Sequence, residues 1–250
     1  MSAVASAPSL SEAALLAAWE HGARRGPADR ALAVVGQAAP EEGAAALERW
    51  PVGRRDAALL DVHEATFGER VDGVTGCPEC GEPLELGFAV DELRARRAEP
   101  GAQPEWRAEA GGCAMAFRPP TTADLRAAAG AGDAAAGRDL LLERCVVSAE
   151  RDGRPVTVRD LPAEALEALD RGLAELDPQA DLRIALTCPE CEHRWGVALD
   201  PADFVWREVE SRAGELLADV ATLAAVYGWS ETEVLAMTPA RRAAYLELAG

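Results

Sequence analysis

Cys-Pro-Glu-Cys at residues 77–80, repeated at residues 188–191, decides the fold of this chain. Each copy presents two thiolates from one tight turn, and two such turns supply the four ligands of a tetrahedral zinc site. The stretch between the copies is far longer than the usual spacing between the halves of a zinc ribbon. We therefore predict one ribbon whose chain leaves after the first motif, forms an inserted segment and returns before the second.

The residues around the motifs favour a metal site over redox chemistry. A short apolar segment follows each motif, at residues 83–88 and 195–199, as expected where each turn opens a hairpin. A redox Cys-x-x-Cys pair normally ends a strand of a βαβ unit and opens a helix, and that pattern is absent here. The alternatives to zinc are redox chemistry, another metal, or no metal at all. We predict one structural Zn²⁺ held by Cys77, Cys80, Cys188 and Cys191.

Three further residues have side chains that bind metals in other proteins. His193 lies two residues after Cys191 and could replace a thiolate, but four cysteines already complete the ligand shell, so we interpret it as a polar residue at the rim of the second turn. Cys113 and Cys145 lie in apolar surroundings. We interpret both as small core residues.

The charge of the chain argues against a nucleic-acid partner. Its 43 acidic and 25 basic residues give a formal net charge of −18 at pH 7. Nucleic-acid binding draws much of its affinity from cationic contacts to phosphates, and the candidate run of arginines, residues 94–97, is predicted to be a solvated helix face. Because every basic residue is an arginine, a Walker A loop and a Schiff-base enzyme are excluded.

Enzyme signatures are missing from the sequence. His63-Glu64 begins like the metalloprotease motif HExxH, but Phe67 stands where the second histidine must be, so we interpret this segment as an ordinary helix surface. No Ser-His-Asp or paired-carboxylate arrangement can be singled out. We predict a protein without enzymatic activity and without a small-molecule substrate.

The sequence also lacks the features of membrane and secreted proteins. The N-terminus has neither the basic nor the apolar region of a signal peptide, and no stretch approaches the roughly 20 apolar residues of a membrane helix. Thiolates available for zinc fit a reducing compartment. We expect a cytoplasmic protein without a membrane partner.

The helix and strand patterns predict a mainly α fold of the α+β class, with a small β zinc ribbon. The insertion is expected to begin with a charged helix over residues 90–97, and the longest helix to end near Tyr227 with two short helices after it. The apolar stripe of that long helix predicts packing on the protein's own core, with a partner helix as the alternative. The predicted modules are a helical N-terminal module at 1–70, the ribbon at 71–90 plus 182–200, a mostly helical insertion at 91–181 and a C-terminal helical tail at 201–250.

The chain resembles phage proteins in several places. An aromatic-Trp-Ser turn opens residues 227–237, and an arginine-bearing helix follows at 241–246, which resembles the tails of small tail-assembly proteins of phages and contractile injection systems. The fuller chain is similar to the baseplate protein family of contractile-tailed phages and phage-tail-like injection particles. It departs from that pattern at Glu192, where a cysteine turn usually carries glycine, and at Pro119, where a small aliphatic residue is expected. The matching pieces are residues 53–56, 59–60, 67–68, 117–119, 121–125 and 177–195.

The resemblance implies a non-enzymatic role in building the baseplate or hub of a contractile tail-like particle, through contacts with other baseplate, hub or tail proteins. The C-terminal helices at 203–250 would form the partner-binding surface. The alternatives are an assembly chaperone absent from the finished particle and, in another class, a thiol-redox or metal-dependent enzyme that uses the Cys-x-x-Cys pairs. The partner-binding residues expected from this resemblance are Trp229, Tyr245, Tyr227, Leu235 and Arg241.

Overall fold

The computed structural model describes residues 9–95 and 105–250. Within these ranges, helices predominate over three small antiparallel sheets, which confirms the predicted α+β class. None of the described helices has both the length and the apolarity needed to cross a membrane. The helices are α1 Glu12–Gly22, α2 Pro27–Ala38, α3 Ala44–Leu47, α4 Val52–Phe67, α5 Thr122–Ala129, α6 Ala134–Cys145, α7 Ala163–Leu176, α8 Pro201–Tyr227, α9 Glu231–Leu235 and α10 Pro239–Ala249. The strands are β1 Arg70–Gly76, β2 Pro83–Ala89, β3 Trp106–Ala110, β4 Cys113–Phe117, β5 Val146–Arg151, β6 Arg154–Pro155, β7 Leu182–Thr187 and β8 Arg194–Leu199.

The N-terminal helices and the long helix α8 share one apolar core. This core joins side chains of α1, α2 and α4 to Val205 and Leu216 of α8. The side chain of Asp200 caps the start of α8, and Gly228 ends it in the left-handed conformation, with φ of 70°. The prediction that the apolar stripe of α8 packs on the protein's own core is confirmed. The domain division at residue 201 stays a prediction, although residues on both sides of it contribute to this core.

The insertion has its own core around a sheet that the sequence patterns did not predict. Strands β3, β4, β5 and β6 are neighbours in that order, and α7 packs against β3 and β4. Phe117 and Leu169 are fully buried, and a Cβ added at Gly172 of α7 would lie 2.4 Å from the Phe117 ring. Strand β3 alternates alanine with charged residues, as at Ala108 and Glu109, and these residue types have little preference for strands.

Two hydrogen bonds, both donated by backbone N–H groups of α4, dock the insertion on this helix. The side-chain carboxylate of Asp177, directly after α7, accepts a hydrogen bond from the backbone N–H of Gly53 at 2.8 Å. A Cβ added at Gly53 would lie 1.9 Å from the other carboxylate oxygen of Asp177. The backbone N–H of Val52 donates to the carbonyl of Pro120 at 2.9 Å. Gly53 and Asp177 thus join two of the segments that carry the family resemblance.

A buried carboxylate organises the start of α5. Asp124 is 1% exposed and accepts hydrogen bonds from Arg118 at 2.6 Å, from Arg144 at 2.7 Å and from the backbone N–H of Thr121 at 2.9 Å. Thr121 and Asp124 form a capping box, in which each side chain accepts a hydrogen bond from the backbone N–H of the other residue. Burial by itself would raise the pKa of Asp124, but these hydrogen bonds hold it well below its ordinary value.

The charged helix predicted over residues 90–97 is wrong in its described part. Val90–Leu93 form one 3-10 turn, and Arg94 lies partly buried against α4 instead of on a solvated face. It pairs with Asp61 and Glu64, because α4 places these two acids one turn apart on the same side. The last two residues of the predicted helix lie outside the described residues.

The interpretation of His63 as part of a helix surface is also wrong. His63 is 2% exposed, and its ring centroid lies 5.6 Å from those of both Phe67 and Phe204. Burial lowers the pKa of this imidazole. The residue belongs to the contact between α4 and α8, where an aromatic side chain fills space between two helices.

Candidate metal centre and C-terminal surface

Each cysteine motif forms the turn of an antiparallel hairpin. The first joins β1 to β2 and the second joins β7 to β8, and we call these two hairpins together the arm. The backbone N–H of Cys77 donates to the carbonyl of Glu82, and that of Cys188 to the carbonyl of His193, both at 2.9 Å. The two turns therefore have equivalent hydrogen bonding.

The two turns bring their four thiols together. The Sγ atoms of Cys77 and Cys191 lie 3.6 Å apart, as do those of Cys80 and Cys188, and all four sulfur atoms lie within 4.8 Å of one another. Metal–sulfur bonds of about 2.3 Å in a tetrahedron require sulfur–sulfur separations of about 3.8 Å. None of the cysteines forms a disulfide. The four side chains can therefore hold a metal ion.

The thiols of this cluster do not ionise equally. Burial disfavours the thiolate of Cys77, but the backbone N–H groups of Cys80 and Glu79 and the neighbouring thiols outweigh it and lower the pKa of Cys77 to about 6. The backbone N–H of His193 favours the thiolate of Cys191, yet burial and the three other sulfurs raise its pKa to about 12. Because neighbouring thiolates repel one another, full ionisation of the cluster requires a cation.

The arm is rooted in a third apolar core. Leu60 of α4 and Val71 at the start of β1 are buried there, with Ile184 and Leu199 of the second hairpin packed against them. The cysteine turns lie at the opposite ends of the hairpins, roughly 20 Å away for a seven-residue strand. A metal ion in the cluster would tie together the tips of two hairpins that precede and follow the insertion.

His193, Cys113 and Cys145 lie outside the four-sulfur cluster. The ring of His193 stacks on Trp195, with centroids 5.8 Å apart, and His193 is not among the residues that could share the metal. Cys113 and Cys145 are buried in the fold, as predicted. Burial raises the pKa of the Cys145 thiol to about 11.

Three of the residues expected to bind partners form an aromatic cluster. The rings of Tyr227 and Trp229 stack with centroids 4.5 Å apart, and Tyr245 meets the Trp229 ring edge-on at 4.8 Å. Arg241 lies over the Tyr245 ring at 5.6 Å. Leu235 is not part of this cluster, because it packs against the N-terminal core.

Sequence reasoning missed Arg242, the residue that fixes α10 in place. Arg242 is 2% exposed and donates to both carboxylate oxygens of Glu12 in α1, at 2.5 and 2.7 Å. It also donates to Asp219 of α8 at 3.1 Å. Arginine is rarely buried, so no sequence pattern distinguishes Arg242 from its exposed neighbour Arg241.

Replacing Arg242 by alanine should destabilise the protein by about 2 kcal/mol, because it removes three charged hydrogen bonds and leaves Glu12 without its main partner. Urea unfolding and amide exchange of α10 would measure the effect. The matched variant Arg241→Ala should change stability by less than about 1 kcal/mol. Equal effects of the two substitutions would contradict this assignment.

Comparison with known proteins places the chain in a family. A family model described as T4 bacteriophage base plate protein matches residues 33–206. Searches of curated proteins and of solved structures gave no match. The matched range contains α4, the arm, the whole insertion and the start of α8, but not the aromatic cluster near the C-terminus. Because the match covers well over half of its residues, the chain belongs to the T4 bacteriophage base plate protein family.

Proposed function

We propose that this protein is a non-enzymatic component of the baseplate or hub of a contractile phage-tail-like particle. The observation that carries this proposal is the family match, which spans the arm and the insertion as one unit. Its partners are other baseplate, hub or tail proteins. The chain is made in the cytoplasm and incorporated there into the particle.

The metal in the arm is proposed to be a structural Zn²⁺. Four thiolates in a tetrahedral arrangement are typical of zinc or iron–sulfur sites, and a complete ligand shell leaves no open position for a substrate. Zinc needs no redox partner and holds its ligands rigidly. In this role Cys77, Cys80, Cys188 and Cys191 would join the tips of the arm and fix the path of the chain on both sides of the insertion.

Two carboxylates have pKa values far from the ordinary value for aspartate, and the contacts around both support a structural role. The carboxylate of Asp124 forms ion pairs with Arg118 and Arg144. The carboxylate of Asp56 is buried and lies 2.6 Å from the guanidinium of Arg55. Burial raises the pKa of Asp56 to about 7. Such shifts often mark catalytic groups, but here the shifted groups are engaged in ion pairs that hold the fold together.

The aromatic cluster is proposed to contact a neighbouring protein in the particle. Its rings are only half-buried, and two apolar side chains beside it in the sequence are exposed, Val226 at 52% and Leu248 at 77%. Stacked aromatic rings lose little conformational freedom on binding and dominate the energetics of many interfaces. The competing interpretation is that Trp229 and Tyr245 only pin the last helices to the body of the protein.

Replacing Trp229 and Tyr245 together by alanine should abolish particle assembly while leaving the isolated protein folded. Each ring is expected to contribute roughly 2 kcal/mol or more to the interface, whereas the Arg242 contacts still hold α10 in place. Particle yield, metal content and thermal midpoint would be measured on the same variant. As a control, Val147→Ala removes an exposed apolar side chain elsewhere and should assemble normally. Unfolding of the double variant, or normal assembly, would make the rings structural.

Mass spectrometry of purified particles tests the proposed role as a component. We expect the chain at a fixed copy number per particle. Its presence in the producing cells but not in particles, together with failed assembly when it is deleted, would favour the assembly chaperone. Normal assembly without the chain would overturn both functions.

A further inference from the structure

The two cysteine turns carry different residue types at the position directly after the second cysteine. Gly81 and Glu192 each follow the last cysteine of their motif, and their N–H groups bond back to Cys77 and Cys188 at 2.9 and 3.0 Å. Both adopt the left-handed conformation, with φ of 78° for Gly81 and 57° for Glu192. This conformation is nearly free for glycine but unfavourable for a residue with a Cβ. Strain is therefore present in the second turn and absent from the first.

The two hairpins also differ in how firmly they are anchored. The first contains Val71, which is buried, and it leads directly into Val90 and Leu93, which are buried in the same core. In the second hairpin, every residue of β7 and β8 keeps some exposure to solvent. The strained turn thus belongs to the hairpin with less apolar anchoring, and both differences weaken the same half of the arm.

We propose that the turn at residues 188–192 is the labile half of the metal centre and that Glu192 is the positioning residue that limits metal affinity. This inference rests on the proposed zinc site. The first turn holds its two thiols ready for the metal, whereas binding to the second must also stabilise the left-handed backbone at Glu192. When metal is lost, β7 and β8 should open before β1 and β2.

Metal competition on the full chain tests this inference. Zn²⁺ affinity would be measured against a chelator, and Co²⁺ would be used as a spectroscopic probe of thiolate ligation. Glu192→Gly should bind Zn²⁺ roughly fivefold more tightly, since relief of strain is partly offset by the greater freedom of glycine in the open turn. Gly81→Ala should bind several-fold more weakly, and space for its Cβ is available because no atom lies within 4 Å.

A second substitution separates backbone strain from charge. Glu192→Ala removes the carboxylate but keeps a Cβ, so its affinity should stay close to that of the wild type. Equal tightening in the alanine and glycine variants would assign the effect to charge and overturn the inference, as would an unchanged affinity of Glu192→Gly. Amide exchange during chelation should appear first in residues 182–199, and earlier exchange in residues 70–89 would also overturn it. A wild-type chain that takes up no metal would instead overturn the metal centre itself.

Discussion

Replacing Cys188 by serine should remove the bound metal and open the arm. A structural zinc ion contributes its binding free energy directly to folding, with apparent values of about 10–16 kcal/mol in small zinc modules. A three-thiolate cluster holds the ion much less tightly. Once the ion is lost, no covalent or coordinate bond links the tips of the two hairpins. Metal analysis of the purified variant should give far less than one zinc per chain.

The structure limits which part of the protein should open. The sequence alone suggests that the whole segment between the cysteine motifs, residues 81–187, depends on the metal. The insertion, however, has its own core and docks on α4 through Gly53 and Asp177. We therefore expect amide exchange and proteolysis to increase at the two hairpins, whereas residues 105–176 stay protected.

A substitution at a different thiol provides the control. Cys113→Ser changes a buried cysteine of the insertion core and should keep the full metal content, even where it lowers stability. If Cys188→Ser retained full zinc and the same exchange protection as the wild type, the four cysteines would not form the centre described here.

Replacing Asp124 by asparagine should destabilise the fold by about 3 kcal/mol. The carboxylate is buried and serves Arg118, Arg144 and Thr121 together, so an amide leaves two guanidinium groups without their counter-charge. This loss of stability is small for the breaking of a buried ion pair, because the side chains of Arg118 and Arg144 both reach solvent. Thermal unfolding would measure it, with an expected decrease of the midpoint on the order of 10 °C.

The pH dependence of this effect has a defined sign. The native-state pKa of Asp124 lies below its unfolded value, so its contribution to stability is present above about pH 4 and is lost as the pH falls further. The difference between wild type and Asp124→Asn should therefore shrink in acid. Glu48→Gln, which affects an exposed pair with Arg126, should cost less than about 1 kcal/mol at any pH. A difference for Asp124→Asn that does not vary with pH would contradict the ion-pair explanation.

The features that could be predicted from the sequence depend on neighbouring residues. A Cys-x-x-Cys turn, the capping box of Thr121 with Asp124 and that of Ser230 with Glu233 each involve residues within three positions of one another. Asp200 followed by a proline likewise defines the start of α8. Short-range chemistry of this kind determines the turn or cap wherever the segment lies in the fold.

The features that were missed depend on contacts between distant residues. Arg241 and Arg242 are adjacent, and the choice of which one is buried rests on Glu12, 230 positions from Arg242. His63 is buried because α8 covers that side of α4. The sheet of the insertion likewise depends on the apolar face of α7, because its alanine-rich and charged strands have little strand preference of their own.

X-ray absorption at the zinc edge tests most directly whether two distant turns share one metal. We predict, for the purified full chain loaded with one equivalent of Zn²⁺, four sulfur neighbours at about 2.3 Å and no nitrogen or oxygen in the first shell. The same spectrum should lose sulfur neighbours in Cys188→Ser. A wild-type spectrum with two sulfur and two nitrogen or oxygen neighbours would contradict the account, because the two turns would then not bind the same ion.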